Sequence, residues 1–300
     1  MRNIHLVSID PQNDFCAVGD PGINWTGNPI EDNKISATLP DYQKRGALYV
    51  PGADKDMDRL AALIEANIDR IQDIHVTIDS HHVIDVAHPG FWQDSNGNNP
   101  SPFTMITVDD VEQGRWVPVK PAFHKRALEY VRQLRDNARF VLVIWPVHCE
   151  IGSWGHGIYP AVSKALRRWQ SERIATVDFV TKGSNIFTEH YSAIQADVPD
   201  ADDPTTQLNT SFIDTLQTAD EIWFTGEALN FCVNYTMSDL ISNFGAETIK
   251  KMRLITDTTS AVPDPPGSTA FSEMTDNFLQ SFKDAGGELL TTADLMPVAA

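Results

Sequence analysis

Short apolar runs alternate with amphipathic stretches along most of the chain. The apolar runs, typical of buried parallel strands, lie at residues 4–9, 74–78, 140–144, 174–180, 222–224, 253–255 and 289–290. Apolar residues at helical spacing predict helices at residues 54–72, 121–134, 160–172, 208–218, 229–241 and 271–282. Strands that alternate with helices predict an α/β fold, in which a doubly wound, mostly parallel sheet of about six strands forms the middle of three layers.

Three segments interrupt this alternation. Gly, Pro, Asn and Asp are frequent near residues 16–45, 93–120 and 197–206, and we expect long loops there within a single domain that spans residues 1–300. Because they leave strand ends or lie close to them, they could cover a binding pocket. The group His-Pro-Gly-Phe-Trp at residues 88–92 predicts either a lid over that pocket or a small core under the loop.

The composition excludes some classes of function. The 300 residues are 42% apolar, enough for a sizeable core, and the net charge of −18 argues against a nucleic-acid surface. The first residues predict a strand and not a signal peptide, and no apolar run approaches the length of a membrane span. Cys16, Cys149 and Cys232 cannot all pair and lack the spacing of a zinc knuckle. We therefore expect a cytoplasmic protein without nucleic-acid or membrane partners, which could form a homo-oligomer.

The segment at residues 221–240 predicts a strand, a tight turn at Gly226 and a helix, with Cys232 in the first helical turn. The unsatisfied N–H groups and the positive dipole end of such a helix favour a thiolate and could also hold an oxyanion. Cys232 is therefore a candidate nucleophile. The alternative is an ordinary buried cysteine, which free cysteines often are.

Two further polar residues follow strands of the predicted sheet. Because ligands bind at the carboxyl ends of parallel strands, Asp10 and Lys182 are expected to lie near Cys232. Asp10 could take the thiol proton, and the lysine cation would lower the pKa of the thiol. Asp10 could instead be a turn-forming residue before Pro11, and Lys182 could extend to solvent.

A second group of strand-end residues has the donor types of a metal site. Asp79 and His81 form a D-x-H pair after one strand, and His148 follows the run at residues 140–144. One carboxylate and two imidazoles leave positions open for water or substrate, as catalytic metal sites do. A D-x-H pair alone is a weak signal.

The other histidines are candidates of lower weight. Three of them are possible additional or rival metal ligands: His82, His88 and His156. His5 and His75 lie inside predicted strands and are expected in the core, whereas His124 and His190 are expected at the surface.

Five ordered motifs carry a resemblance to a known family. They are D-P-Q-N-D-F, G-A-L-Y-V-P-G-A, W-P-V-H-C, K-G with Y-S-A-I after it, and G-E-A-L-N-F-C-V-N-Y-T. In this order, from residue 3 to about residue 290, the chain resembles the isochorismatase-like cysteine hydrolases. The D-x-H pair together with W-P-V-H-C points to the nicotinamidase branch, because the isochorismatase branch lacks that metal site.

The resemblance implies a role for each matching residue. Cys232 would be the nucleophile, Asp10 the general base and acid, and Lys182 the cation of a triad. The metal ligands would be Asp79, His81 and His148. They would hold one divalent ion, usually zinc, with manganese or iron possible, and this ion would hold the pyridine nitrogen of nicotinamide.

The resemblance also implies residues that contact the substrate. Phe15 and Trp145 match positions that sandwich the ring, and Tyr191 matches another pocket position. The peptide between Glu227 and Ala228 would be a cis bond that directs the N–H groups of Ala228 and Cys232 at the oxyanion.

Departures from the family pattern leave the substrate open. The chain is longer than is usual in the branch that it resembles, with insertions near residues 16–45, 82–140 and 196–207. Ser80 stands where Trp is usual, His82 where Pro is common, Glu227 where an apolar residue is usual and Asn230 where Asp is usual. The leading interpretation is hydrolysis of nicotinamide to nicotinate and ammonia through a thioester. The alternatives are hydrolysis of another small amide, such as a ureido or carbamoyl compound, and a non-catalytic ligand-binding relative. The intact triad argues against the last of these.

Overall fold

A computed structural model describes residues 2–137 and 139–297. The strands are β1 (Ile4–Ile9), β2 (Ile71–Asp79), β3 (Trp92–Gln93), β4 (Met105–Ile106), β5 (Val117–Pro118), β6 (Leu142–Val143), β7 (Asp178–Lys182), β8 (Glu221–Gly226), β9 (Met252–Ile255) and β10 (Glu288–Leu290). The helices are α1 (Asn13–Cys16), α2 (Pro29–Ser36), α3 (Ala53–Ala66), α4 (Val108–Glu112), α5 (His124–Asp136), α6 (Pro160–Arg173), α7 (Thr210–Gln217), α8 (Asn234–Asn243), α9 (Ala246–Ile249), α10 (Ala270–Asp284) and α11 (Thr292–Leu295).

Six of these strands form one parallel sheet in the order β10-β9-β8-β1-β2-β7. β1 lies in the interior of the sheet, and all its residues are buried, as a continuous apolar run in a parallel sheet requires. Helices flank the sheet, with α3 packed against α6 and α8 packed against α10. The predicted doubly wound α/β fold of about six strands is therefore confirmed.

The boundary between the first long helix and the second strand differs from the prediction. The helix ends at Ala66 and β2 begins at Ile71, although the apolar spacing continues to residue 72. Asn67 ends the helix, because its N–H donates to the carbonyl of Ile64 at 3.1 Å and its side chain donates to that of Leu63 at 2.9 Å. The apolar residues beyond it belong to the turn and the strand.

The prediction that residues 140–144 form a strand of the main sheet is wrong. Only Leu142 and Val143 are extended, and they pair antiparallel with β4 in a separate two-stranded sheet. Both side chains are buried. The apolar run therefore indicated correctly that this segment is buried, but it did not indicate which sheet the segment joins. On the side away from β1, the neighbour of β2 is β7. This strand begins at Asp178 and not at residue 174, because α6 extends to Arg173 and Ile174 ends the helix in a left-handed conformation.

The interrupting segments contain short elements of their own. Residues 16–45 include α2 and a short 3-10 turn at Asp41–Gln43, and residues 93–120 include short strands and α4. In residues 88–92, His88, Phe91 and Trp92 are buried, so this group forms a small core under its loop. Residues 197–206 are only partly exposed, because Asp197, Val198 and Thr206 are buried. The assignment of one domain to residues 1–300 stays a prediction.

Most histidines lie where the sequence placed them. His5 and His75 are buried in their strands, and His124 is exposed. His190, expected at the surface, is buried, and its Nδ1 accepts from the N–H of Gly183 at 3.4 Å. Among the described helices, none is long and apolar enough to cross a membrane.

The packing of α3 gives a test of the fold. Leu63 is fully buried, so Leu63→Ala should lower the free energy of unfolding by about 2–5 kcal/mol, measured by urea denaturation. The matched control Asp58→Ala, on the exposed side of the same helix, should change it by less than about 0.5 kcal/mol. Equal unfolding midpoints for the two variants would contradict the assigned face of α3.

Candidate active site

The candidate residues meet at the carboxyl ends of four neighbouring strands. Asp10 follows β1, Asp79 ends β2 and Lys182 ends β7, where it pairs with Asp79 in the strand register. Cys232 lies in a π-helical turn, Leu229–Val233, which follows β8. All four side chains are buried. The sheet topology therefore brings together residues that are far apart in the sequence.

Lys182 contacts both predicted groups of residues, the one around Cys232 and the one with the donor types of a metal site. Its Nζ lies 2.9 Å from Asp10 Oδ2 and 3.0 Å from Asp79 Oδ1. The same atom lies 3.5 Å from the sulfur of Cys232. The predicted group of Asp10, Lys182 and Cys232 is thus one cluster, and Asp79 connects it to the predicted metal ligands. Lys182 does not extend to solvent.

The charges in this cluster are set by burial and by the partners. Burial raises the pKa of the Cys232 thiol well above its ordinary value, although the charge of Lys182 lowers it. Burial also raises the pKa of Asp10, against the lowering effect of Lys182. Burial disfavours the ammonium of Lys182, but Asp10 and Asp79 outweigh this and raise its pKa well above the usual value. The resting thiol is therefore protonated, and the lysine stays charged.

The turn that carries Cys232 is tightly fixed. Gly226 has a φ of 110°, and a Cβ there would lie 1.9 Å from the carbonyl oxygen of Ile9, so only glycine fits. The peptide between Glu227 and Ala228 is cis. Within the described residues, the N–H of Ala228 donates no hydrogen bond, which leaves it free for an oxyanion beside the thiol.

Asp79, His81 and His148 form a buried group whose donor atoms all lie within 4.8 Å of one another. Nε2 of His81 lies 3.1 Å from Asp79 Oδ2, and Nε2 of His148 lies 3.4 Å from the same oxygen. The other ring nitrogens are occupied, by Asp85 Oδ2 at 3.2 Å from His81 and by the carbonyl of Pro146 at 2.8 Å from His148. This arrangement directs both Nε2 lone pairs at a common point, as metal-binding histidines require.

The charges of this group also suit a cation. Burial lowers the pKa of His81, but Asp79 and Asp85 outweigh burial and raise it well above the usual value. Burial raises the pKa of Asp79, but His81 and Lys182 outweigh it, so the pKa lies well below the usual value. The carboxylates of Asp79 and Asp85 thus favour positive charge at this position, and a bound divalent ion would supply it. The donor set fits a metal ion.

The rival histidines do not join this group in the described part of the chain. His82 is exposed. Nε2 of His88 lies 3.4 Å from Nδ1 of His148, on the side of that ring away from Asp79. His156 hydrogen-bonds to Ser80 Oγ at 2.9 Å. His88 therefore supports a candidate ligand from behind.

The reaction pocket, as we call the cavity beside Cys232, has a volume of about 20 Å³. The predicted ring contacts line it: Phe15, Trp145 and Tyr191. Trp145 Nε1 donates to the hydroxyl of Tyr191 at 2.9 Å, and the Phe15 ring packs edge-on against His148 with centroids 5.4 Å apart. The pocket thus has aromatic walls and a reactive floor.

Solved structures of several nicotinamidases resemble this chain. A nicotinamidase/pyrazinamidase of Acinetobacter baumannii matches 98% of this chain and 99% of its own, with a TM-score of 0.57 and 18% identity. The yeast nicotinamidase matches 96% of this chain and 99% of its own, with a TM-score of 0.59 and 17% identity. The chain shares the α/β fold of these nicotinamidase structures.

A second structure of the yeast enzyme, bound to the inhibitor nicotinaldehyde, matches 96% of this chain and 99% of its own, with a TM-score of 0.58 and 16% identity. No family profile and no curated protein sequence matches the chain. At these identities the likeness shows a shared fold.

The sequence analysis missed three residues that shape the site. The hydroxyl of Thr77 donates to Asp10 Oδ1 at 2.5 Å, and Gln12 exchanges two hydrogen bonds of 2.8 Å with the backbone of Asp79. Glu189 lines the reaction pocket, and its Oε2 has no hydrogen-bond partner among the described residues. Gln12 stood within a recognised motif, but nothing in the pattern distinguished Thr77 or Glu189 from ordinary strand and loop residues.

The contact between Asp85 and His81 gives a test of the metal site. Asp85→Asn keeps the oxygen that accepts from the N–H of Ala87 at 3.0 Å but removes the negative charge beside His81. We expect the dissociation constant for Zn²⁺, measured by competition with a chelating dye, to rise about 10–100-fold. His156→Ala is the control and should bind Zn²⁺ as the wild type does. Unchanged affinity in Asp85→Asn would remove His81 from the ligands.

Proposed function

We propose that this protein is a metal-dependent cysteine amidohydrolase that converts nicotinamide and water to nicotinate and ammonia. The observation that carries the proposal is the position of Lys182 Nζ, in contact with Asp10, Asp79 and the sulfur of Cys232. A buried thiol, carboxyl and ammonium beside a group that suits a cation are the parts that amide hydrolysis through a thioester needs. The similar structures named as nicotinamidases support this choice of substrate.

The first half of the reaction forms the thioester. Asp10 takes the proton of the Cys232 thiol, and the sulfur attacks the amide carbonyl. The charge of Lys182 stabilises the thiolate at 3.5 Å, and the free N–H of Ala228 stabilises the oxyanion. The intermediate collapses when the C–N bond breaks and Asp10 returns its proton to the nitrogen, which leaves as ammonia.

The second half releases the acid. Asp10, again a carboxylate, takes a proton from water, and the hydroxide attacks the thioester. The C–S bond breaks, the thiolate leaves beside Lys182, and Asp10 returns the proton to it. Burial opposes the charge of Lys182, but Asp10 and Asp79 raise its pKa well above the usual value. The lysine therefore stays charged and does not compete with Asp10 as the base.

The remaining site residues would orient the substrate. A divalent ion held by Asp79, His81 and His148, with zinc the best match to one carboxylate and two imidazoles and manganese or iron also compatible, would supply a Lewis-acid contact for the pyridine nitrogen. Phe15 and Trp145 would enclose the planar ring, and Tyr191 would complete the wall.

The nucleophile is tested by an amide panel scored for ammonia. The panel contains nicotinamide, pyrazinamide and a ureido and a carbamoyl compound. We expect the wild type to release ammonia fastest from nicotinamide, and Cys232→Ala to lower kcat by about 10³-fold or more, because no thioester can form. Cys16→Ala removes a buried thiol outside the site and is the matched control. Activity confined to the ureido or carbamoyl compound would overturn the substrate, and full activity in Cys232→Ala would overturn the mechanism.

The role of His148 as a metal ligand is tested by comparing metal binding and KM with folding stability in one variant. His148→Ala should lose bound metal, measured by elemental analysis, and should raise KM for nicotinamide about 10-fold or more, because the ring loses its anchor. The unfolding midpoint should change little, since His148 lies outside the main sheet. Full metal content with a normal KM would remove His148 from the proposed site.

A further inference from the structure

A second, larger cavity adjoins the reaction pocket. This outer chamber, formed by parts of residues 27–51, 102–103 and 262–266, has a volume of about 370 Å³, against about 20 Å³ for the reaction pocket. Leu48 and Val262 line both cavities. Most of the free volume near Cys232 therefore lies in the outer chamber.

The Leu48 side of the outer chamber is joined to the floor of the reaction pocket. The N–H of Leu48 donates to the carbonyl of Asp14 at 3.0 Å, and the N–H of Val50 donates to that of Phe15 at 2.9 Å. Gly46 permits this contact, because a Cβ there would lie 2.3 Å from the carbonyl oxygen of Asp14. The wall therefore keeps a fixed position relative to Phe15.

The Val262 side is joined to the turn that carries the nucleophile. The N–H of Val262 donates to Asn230 Oδ1 at 3.0 Å, and Asn230 Nδ2 donates to the carbonyl of Val262 at 2.9 Å. A third connection is the ring of Phe103, which lines the outer chamber and packs edge-on against Trp145 with centroids 5.8 Å apart. Both residues that the two cavities share, Leu48 and Val262, are thus held by segments that form the reaction pocket.

The walls of the outer chamber are rigid and mostly apolar. Its prolines are Pro29, Pro51, Pro102, Pro263, Pro265 and Pro266. Proline fixes the backbone, so a ligand would find the cavity largely formed and would lose little affinity to ordering.

The charged groups in the walls are already engaged. Asp32 accepts from the backbone and the hydroxyl of Thr26 at 2.7 and 2.8 Å, and Asp264 accepts from the N–H of Phe271 at 2.7 Å. The guanidinium of Arg45 stacks on Tyr49 at 4.9 Å and lies 4.0 Å from Asp32. The chamber therefore suits an uncharged apolar group.

We propose that the outer chamber binds an apolar, uncharged tail on the acyl side of a carboxamide whose amide carbon reacts at Cys232. This inference rests on the proposed amidohydrolase function and names its substrate class: carboxamides larger than the bare ring, with an aliphatic or aryl extension that passes between Leu48 and Val262. The binding energy of the tail would help to position the amide carbon at Cys232.

The experiment compares nicotinamides that carry alkyl chains of increasing length at each free ring position. We expect kcat/KM for ammonia release to rise about fourfold per methylene at one position, the value for burial of one CH₂ group, until the chamber is filled. The same chain ending in a carboxylate or an ammonium should lose this gain. Activity that is flat or falls with chain length at every position would overturn the proposal.

Variants that fill the outer chamber test whether it affects activity independently of the reaction pocket. Ala47→Trp and Asn33→Trp place a large ring in the chamber from residues that do not line the reaction pocket. Each should abolish the gain from the tail and leave activity on bare nicotinamide unchanged. Ala201→Trp, at an exposed position in another loop, is the matched control and should preserve the gain. An equal loss on all substrates in the chamber variants would contradict a separate tail site.

A binding measurement distinguishes this proposal from the proposed function. Calorimetry on Cys232→Ala with the chain-bearing amides reports tail binding without turnover. Hydrolysis of nicotinamide without any chain dependence would overturn the tail site and leave the amidase function in place. Tighter binding of longer chains, lost in Ala47→Trp, together with no hydrolysis by the wild type would support the tail site and overturn the function. Neither binding nor hydrolysis would overturn both.

Discussion

The structure of the site depends on one buried ammonium group. Lys182 is 3% exposed, and an unpaired charge at that depth would cost several kcal/mol. Two carboxylates, at 2.9 and 3.0 Å, make the position tolerable. Because Asp10 follows β1, Asp79 ends β2 and Lys182 ends β7, this pairing is satisfied only when the three strands are in their observed register. The stability of the cluster and the order of the sheet therefore support each other.

Asp79 connects the cluster around Cys232 to the candidate metal ligands. One carboxylate oxygen faces Lys182, and the other faces the Nε2 atoms of His81 and His148. A cation at the histidines and the ammonium of Lys182 would thus share one negative group, and each would influence the charge of the other. Asp79 therefore belongs to both the thiol cluster and the metal group, and its removal would disturb both.

The sequence was sufficient for the parts of this arrangement that follow from strand ends. Apolar runs located β1, β2 and β8, and the parallel topology implied that Asp10, Asp79 and Cys232 would meet. The failures share one cause, since a local pattern does not report which residues the tertiary fold brings together. Residues 140–144 were buried against β4 instead, and His190 was buried by contacts that no local pattern shows. Glu189 was missed for the same reason, because its loop enters the pocket only through the tertiary fold.

The segment that carries His148 lies outside the main sheet, so another part of the chain must hold it in place. Two parts of the chain do so. In the second insertion, the carbonyl of Ala87 accepts from the N–H of Trp145 at 2.7 Å, and just after β2 the N–H of His81 donates to the carbonyl of Cys149 at 3.0 Å. The buried group at residues 88–92 packs behind these contacts, with Trp92 donating to the carbonyl of Val86 at 2.7 Å. Of the two roles that the sequence left open for residues 88–92, a lid and a small core, the core is the one observed, and this core helps to position one imidazole of the metal group.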